Sequence, residues 1–288
     1  MSKRFARSIS KWSVIFTLVC FLTGAAAVAQ DVGKLPYVPT PQVVVDEMLK
    51  MADVKANDYV IDLGSGDGRI IITAAKNYKA KGLGVDIDGK LVDLSNKNAK
   101  SEAVTDRTEF AERDMFKTDI SKATVLTLYV LPDFMQKLRS KIQTELKPGT
   151  RVVAHDYHMG DWYPDRIVTL TVPEKKEANG TDKAYLYLWI IPTTVQGTWN
   201  MEFEPAGKVD PMILAFNQKY QMVNAAVAGP GTPKIEDAKL KGDEVSFAFT
   251  LRATKYQFTG KVSGNKIEGK ALADGAKDAL PWRATKAP

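Results

Sequence analysis

The residues best placed to do chemistry lie in one short stretch, Val60-Ile61-Asp62-Leu63-Gly64-Ser65-Gly66-Asp67-Gly68-Arg69. Glycine at alternate positions lets the main chain turn sharply and lets a ligand approach where a Cβ would collide. The spacing is G-x-G-x-G. Dinucleotide sites instead carry G-x-G-x-x-G, with a helix N-terminus that receives a pyrophosphate. Asp62 precedes the turn and Asp67 lies within it. Carboxylates beside a pyrophosphate repel it, whereas beside a cationic amine or sulfonium they attract. The pattern argues against a nicotinamide dinucleotide and against nucleotide phosphates.

Two further acids follow at intervals. Asp86 sits in Gly84-Val85-Asp86-Ile87-Asp88, where a second strand should end, and Asp114 sits in Arg113-Asp114-Met115-Phe116 after a third. A carboxylate at the first position can accept both hydroxyls of a ribose, and one at the second can reach an adenine amino group. Any one of these acids is as easily a loop cap. Three of them after three successive parallel strands, beside a glycine turn, mark the crevice at the carboxyl ends of a sheet.

Downstream, His155-Asp156-Tyr157-His158-Met159-Gly160-Asp161 holds both histidines of the chain. His155 and Asp156 are candidates for a base or an acceptor contact, with loop structure as the alternative. Two histidines three apart lack a third well-spaced ligand, so no metal is expected. Tyr129, in Tyr129-Val130-Leu131-Pro132, either orients an amine through its hydroxyl or packs as a strand-end aromatic.

The elements that must hold these residues read as repeated βα units. Strand patterns cover 59–63, 81–87, 108–112, 124–131 and 151–155; helical patterns cover 42–52, 69–78, 90–101 and 133–146. Thr40-Pro41 reads as an N-cap followed by proline at the first helical position. Such repeats predict an α/β, Rossmann-like parallel sheet. The runs 166–172 and 184–191 have no helical pattern between them and predict an antiparallel hairpin closing that sheet. After residue 193 the texture becomes short alternating runs separated by turn signals, which predicts an all-β antiparallel small barrel of about eight strands. Gly197-Thr198-Trp199 resembles the opening of the lipocalin-like barrels, with Trp199 read as a plug at one end.

The chain has 288 residues, 44% hydrophobic and 26% charged, which excludes a disordered or collagen-like chain and suggests about two domains. Its net charge of +6 is concentrated at one end. Lys3, Arg4, Arg7 and Lys11 fall in the first 29 residues, which contain no acid. Removing those four from 40 leaves 36 basic residues against 34 acidic ones, or +2, so a nucleic-acid partner is not expected. The apolar run 12–28 and Ala27-Val28-Ala29 complete the pattern of a signal peptide over 1–29. The expected location is the periplasm, with anchoring in the inner membrane by an uncleaved segment as the alternative. The single cysteine, Cys20, lies inside that segment, so the remainder must be held by core packing rather than disulfides. The expected organisation is a signal at 1–29, a first domain at 30–193 and the barrel at 194–288.

The turn at 62–69, Gly84-Val85-Asp86-Ile87-Asp88 and Arg113-Asp114-Met115-Phe116 resemble the class I S-adenosylmethionine-dependent methyltransferases over about residues 35–192. Tyr37-Val38-Pro39-Thr40-Pro41-Gln42 and Leu146-Lys147-Pro148-Gly149-Thr150-Arg151-Val152 are similar to the small protein-lysine methyltransferases. Those include the mitochondrial enzymes that modify a membrane ATP synthase ring and, more remotely, the non-SET histone lysine enzymes. The resemblance implies a seven-stranded sheet, S-adenosylmethionine as methyl donor and an amine acceptor on a protein or a small molecule. It implies that Asp62, Gly64, Ser65 and Gly66 cradle the methionine part. Asp86 and Ile87 would meet the ribose, Asp114 and Met115 the adenine, and Tyr37 and Thr40 would fold over the cofactor. Methyl transfer needs alignment more than a dedicated base, so Tyr129, His155 and Asp156 remain candidates only. A non-catalytic exported module that binds the same nucleoside, with the barrel as its recognition part, is the other open reading.

Overall fold

In the computed structural model of the chain, residues 37–205, 207, 210–231 and 233–288 are described; the expected signal at 1–29 lies outside them. Residues 37–288 form one compact unit containing two sheets.

The first sheet is built from β1 (Tyr59–Leu63), β2 (Lys81–Asp86), β3 (Thr108–Glu112), β4 (Val125–Leu128), β5 (Arg151–His155), β6 (Arg166–Thr171) and β7 (Lys183–Ile190). Their spatial order is β3-β2-β1-β4-β5-β7-β6, with β7 antiparallel to both its neighbours. This is the predicted seven-stranded sheet with an antiparallel last hairpin. Four helices connect or flank it: α1 (Gln42–Met51), α2 (Arg69–Tyr78), α3 (Gly89–Ser101) and α4 (Pro132–Glu145). Strand residues alternate between the two faces, as a period of two requires. Val60, Val125 and Val153 join Val44, Met48, Ile71 and Val92 in one core, on the face covered by α1, α2 and α3. Ile61, Leu63, Leu126 and Val152 join Met135, Leu138 and Ile142 of α4 in the other.

Three local expectations need correction. A short helix, α5 (Lys175–Asn179), lies between β6 and β7, where the sequence reads only as a polar loop. It follows Pro173 and ends on Gly180 at φ 71°, the left-handed position that glycine accepts at a helix end. Thr40 does not cap α1: Pro41 occupies the N-cap position, and the Thr40 hydroxyl turns to His155 instead. Finally, β4 stops at Leu128, which leaves Tyr129 in the loop beyond the strand.

The second sheet comprises β8 (Gly197–Phe203), β9 (Asp210–Lys219), β10 (Met222–Ala228), β11 (Glu236–Lys241), β12 (Glu244–Leu251), β13 (Thr254–Ser263), β14 (Lys266–Ala273) and β15 (Leu280–Lys286). Consecutive strands pair antiparallel except β10 with β11, and β15 pairs back onto β8. The result is an up-and-down barrel that is nearly closed, with one seam between β10 and β11. Its interior is filled by Trp199, Phe203, Phe216, Phe247, Phe249, Phe258 and Trp282, all buried. Trp199 is fully buried and donates from Nε1 to Val195 O at 2.8 Å.

The two sheets are fastened through the connection from β5 to β6, which carries no helix. Trp162 of that connection stacks on Tyr220 with ring centres 5.2 Å apart, and its Nε1 donates to Gln221 Oε1 at 2.8 Å. Gln221 Nε2 donates in turn to Tyr163 O at 2.7 Å. Beside them Asp161 accepts from Arg139 at 2.6 Å and pairs with Lys219 at 3.0 Å. Trp162 and Tyr220 thus take the place of a covering helix on this part of the sheet.

Candidate active site

Parallel strands deliver their carboxyl ends to one edge, and every candidate residue read from the sequence lies on or beside that edge. Leaving β1, the chain closes a tight turn: Gly64 N and Ser65 N both donate to Val85 O, at 2.8 and 2.9 Å. Gly66 is at φ 55°, and a Cβ there would come within 2.6 Å of Tyr37 Cε2. Tyr37 therefore lies directly over the turn. A side chain at Gly64 would meet Val130 Cγ1 at 3.4 Å and Met115 Cε at 3.9 Å, which places the ends of β3 and β4 against the same turn.

Asp86, at the end of β2, closes the turn from the side. Its Oδ2 accepts from Gly66 N at 2.9 Å and its Oδ1 from Asp88 N at 3.0 Å. Each carboxylate oxygen retains a lone pair for a further donor such as a sugar hydroxyl. Ile87 is exposed beside it, and Asp114 accepts from Phe116 N at 2.8 Å. The Ser65 hydroxyl is buried and, among the described residues, has no hydrogen-bond partner. A cradle open to polar contact is what an adenosyl and amino-acid ligand requires, and these residues fit S-adenosylmethionine.

The two acids of the turn differ. Asp67 is paired with Arg69, Oδ2 to Nη2 at 2.6 Å and Oδ1 to Nε at 2.9 Å. Burial opposes its ionisation, but the guanidinium holds its carboxyl below the usual range. Its charge is therefore satisfied within the protein by Arg69. Tyr37 is pushed up to about 12 by burial and by Asp67. Asp62 is the unpaired acid. It is buried and accepts only from Thr127 Oγ1, at 2.8 Å, among the described residues. Burial, with Asp86 and Asp67 nearby, pushes its carboxyl up to about 7, against the pull of Thr127.

A ligand ammonium placed against Asp62 would favour its ionised form, so binding should release a proton. The folded pKa is raised, so the group is mostly protonated at pH 6 and mostly ionised at pH 8. S-adenosylhomocysteine is accordingly expected to bind about tenfold more tightly at pH 8 than at pH 6. Titration calorimetry in buffers of different ionisation enthalpy checks both signs, and Asp62→Asn should remove the pH dependence.

The acceptor half of the edge follows β4 and β5. Tyr129 stacks on His155 with ring centres 4.1 Å apart, and Tyr157 lies parallel to Tyr129 at 6.2 Å. Asp156 has φ 62°, a conformation unusual outside glycine. It is held there by two bonds to β7: its N–H donates to Tyr185 O at 2.7 Å, and its Oδ1 accepts from Tyr185 N at 3.1 Å. His158 turns away, and its Nδ1 accepts from Gly160 N at 3.0 Å. Sequence reasoning missed Lys175. This lysine, from α5, is 2% exposed and donates to Asp156 Oδ2 at 2.5 Å and to His155 Nε2 at 3.2 Å. Nothing in spacing signals a pair 19 residues apart, although Pro173 and Gly180 bracket the helix that brings them together.

Similarity to known proteins covers the stretch of chain that builds the first sheet. A family model described as the ANTKMT methyltransferase domain matches residues 62–166. A protein-lysine N-methyltransferase from Saccharolobus islandicus is 41% identical over 155 residues, 54% of this chain and 93% of that protein. The adenine nucleotide translocase lysine N-methyltransferase of Mus musculus is 26% identical, over 54% of this chain and 63% of its own length. Among solved structures, an RNA methyltransferase from Salinibacter ruber, in complex with S-adenosyl-L-homocysteine, is 49% identical. It covers 55% of this chain and 96% of its own, with a TM-score of 0.50.

Proposed function

We propose, because this chain belongs to the family of S-adenosylmethionine-dependent protein-lysine methyltransferases, that its own acceptor is the ε-amine of a protein lysine. Bound S-adenosylmethionine supplies a methyl group on a cationic sulfur. The chain's part is to hold that group in the glycine turn, to exclude water and to align an incoming amine. The observation that carries the acceptor reading is the aromatic wall of Tyr129, His155 and Tyr157 beside the Asp156 carboxylate. Aromatic faces suit a lysine side chain, whose aliphatic stem packs on rings while its nitrogen reaches past them. Tyr37 and Thr40 cover the donor, Asp62 takes its ammonium, and Asp86 its ribose. Asp114 and Met115 meet the adenine.

The chain spans 63% of the Mus musculus relative, and the target protein is argued from chemistry rather than carried over from that name. The basic head and apolar run at 1–29 support export, so the acceptor is sought among cell-envelope proteins. Recovery of the chain in the periplasmic fraction, starting at Gln30 by mass spectrometry, is the expected outcome; an intact Met1 there would favour the anchored form.

Methyl transfer is tested with tritiated S-adenosylmethionine, the full-length protein and either envelope proteins or total RNA. Label on lysine, located by peptide mass spectrometry, is expected. Label on RNA would replace the acceptor reading with that suggested by the name of the Salinibacter protein. Binding of S-adenosylhomocysteine with no transfer to either would favour the non-catalytic nucleoside-binding module instead.

A further inference from the structure

We infer that Lys175 is a positioning residue of the acceptor site, which holds His155 uncharged and in one tautomer. An ammonium can only donate, so its 3.2 Å contact makes His155 Nε2 the acceptor. The ring proton must then sit on Nδ1, which faces Thr40 Oγ1 at 3.4 Å. Lys175 thereby sets which way His155 hydrogen-bonds. Thr40 is in turn held by Arg69, whose Nη1 donates to Thr40 O at 2.7 Å. A polar chain thus runs from α5, across the acceptor wall, to the segment that covers the glycine turn.

The groups facing His155 are Asp156 from the end of its own strand, Lys175 from α5, Thr40 from the segment before α1 and Tyr129 from beyond β4. Asp156 Oδ2 lies 3.4 Å from His155 Nε2 and 2.5 Å from Lys175 Nζ. The carboxylate is therefore shared, and the lysine takes the shorter bond. Burial holds the imidazole down to about 4; Asp156 opposes that and Lys175 adds to it. The consequence is chemical. A charged imidazole on this wall would repel a cationic sulfur, and by donating to an incoming amine it would tie up the lone pair that must attack. With Lys175 in place the acid–base pair beside the ring is neutral overall and the ring stays neutral too.

The chain has two histidines, so proton NMR of the imidazole resonances reads the site directly, with His158→Gln assigning the second. In the wild-type protein His155 should remain unprotonated down to about 4. In Lys175→Met, Asp156 faces the ring without a competing cation, and the His155 midpoint should rise above about 4, while burial still holds it below the ordinary histidine value. Lys175→Arg keeps the cation and should restore the low midpoint. A His155 titration unchanged in Lys175→Met would overturn the inference. If Lys175→Met does not fold by circular dichroism, Asp156→Asn supplies the opposite sign: the ammonium remains, His155 stays neutral to at least as low a pH, and a raised midpoint would overturn the proposal.

A second readout rests on the lysine-acceptor reading. The kcat/KM of Lys175→Met should begin to fall at a higher pH than that of the wild type, the displacement matching the shift of the His155 midpoint read by NMR. A shifted histidine in an enzyme that methylates no lysine would end the acceptor reading and leave this inference standing.

Discussion

Replacing Asp86 with alanine should weaken S-adenosylhomocysteine binding by about a hundredfold while the secondary structure persists. The carboxylate does two jobs at once. It accepts from Gly66 N at 2.9 Å, which pins the glycine turn, and it presents its remaining lone pairs to the crevice. Hydrogen bonds to a charged acceptor contribute roughly 1.5–3 kcal/mol each. Loss of a ribose contact and of the pinned turn together should cost about 3 kcal/mol, a little over a hundredfold in Kd. Asp86→Asn keeps one oxygen and should fall between the two. Calorimetric affinities decide the point: an unchanged Kd in Asp86→Ala would show that the ribose lies elsewhere. Thermal melting without ligand separates this from a folding defect, because Asp86 is at the surface end of β2 and not in either core.

The largest effect on stability is expected in the barrel, from Gly269→Ala. Gly269 of β14 pairs with Gly260 on β13 and with Trp282 on β15. Trp282 lies across the two glycines and donates from Nε1 to Thr259 O at 2.9 Å. A methyl group at Gly269 would fall 2.0 Å from Thr259 O and 2.5 Å from the indole nitrogen. The first contact is backbone, so the ladder itself must move. Overpacking of this kind costs about 3 kcal/mol, which for a unit of this size is roughly a 10 °C lower Tm. Differential scanning calorimetry of the full chain measures it; a Tm within a degree of the wild type would contradict the packing described.

How much of this is legible in the sequence divides along physical lines. The parallel sheet is legible because buried strands such as 59–63 and amphipathic helices such as 69–78 carry opposite periods, and those repeats leave few topologies. The glycine turn is legible because its conformation restricts the residue types that can form it. Asp67 is easily misread because its partner Arg69 is two residues away and resembles an ordinary helix start. Lys175 is invisible for a different reason. Lysine is rarely buried unless paired, and its partner is supplied only when β7 and β5 come together. Similarly, β11 has the polar sequence Glu236-Asp237-Ala238-Lys239-Leu240-Lys241 and carries a bulge between Glu236 and Lys239. Alternation fails there, although the turns on either side still give the barrel's strand number.

The fastening of Trp162 and Asp161 to the second sheet has a thermodynamic consequence for the first. The chain that leaves Asp156 reaches these anchors within six residues, so the segment bordering the acceptor site is tethered at both ends before any partner arrives. Its loss of conformational freedom belongs to folding and does not recur on association. Cutting the tether with Gln221→Ala or Tyr220→Ala would therefore show itself as a more negative entropy of acceptor binding, at a site neither side chain touches.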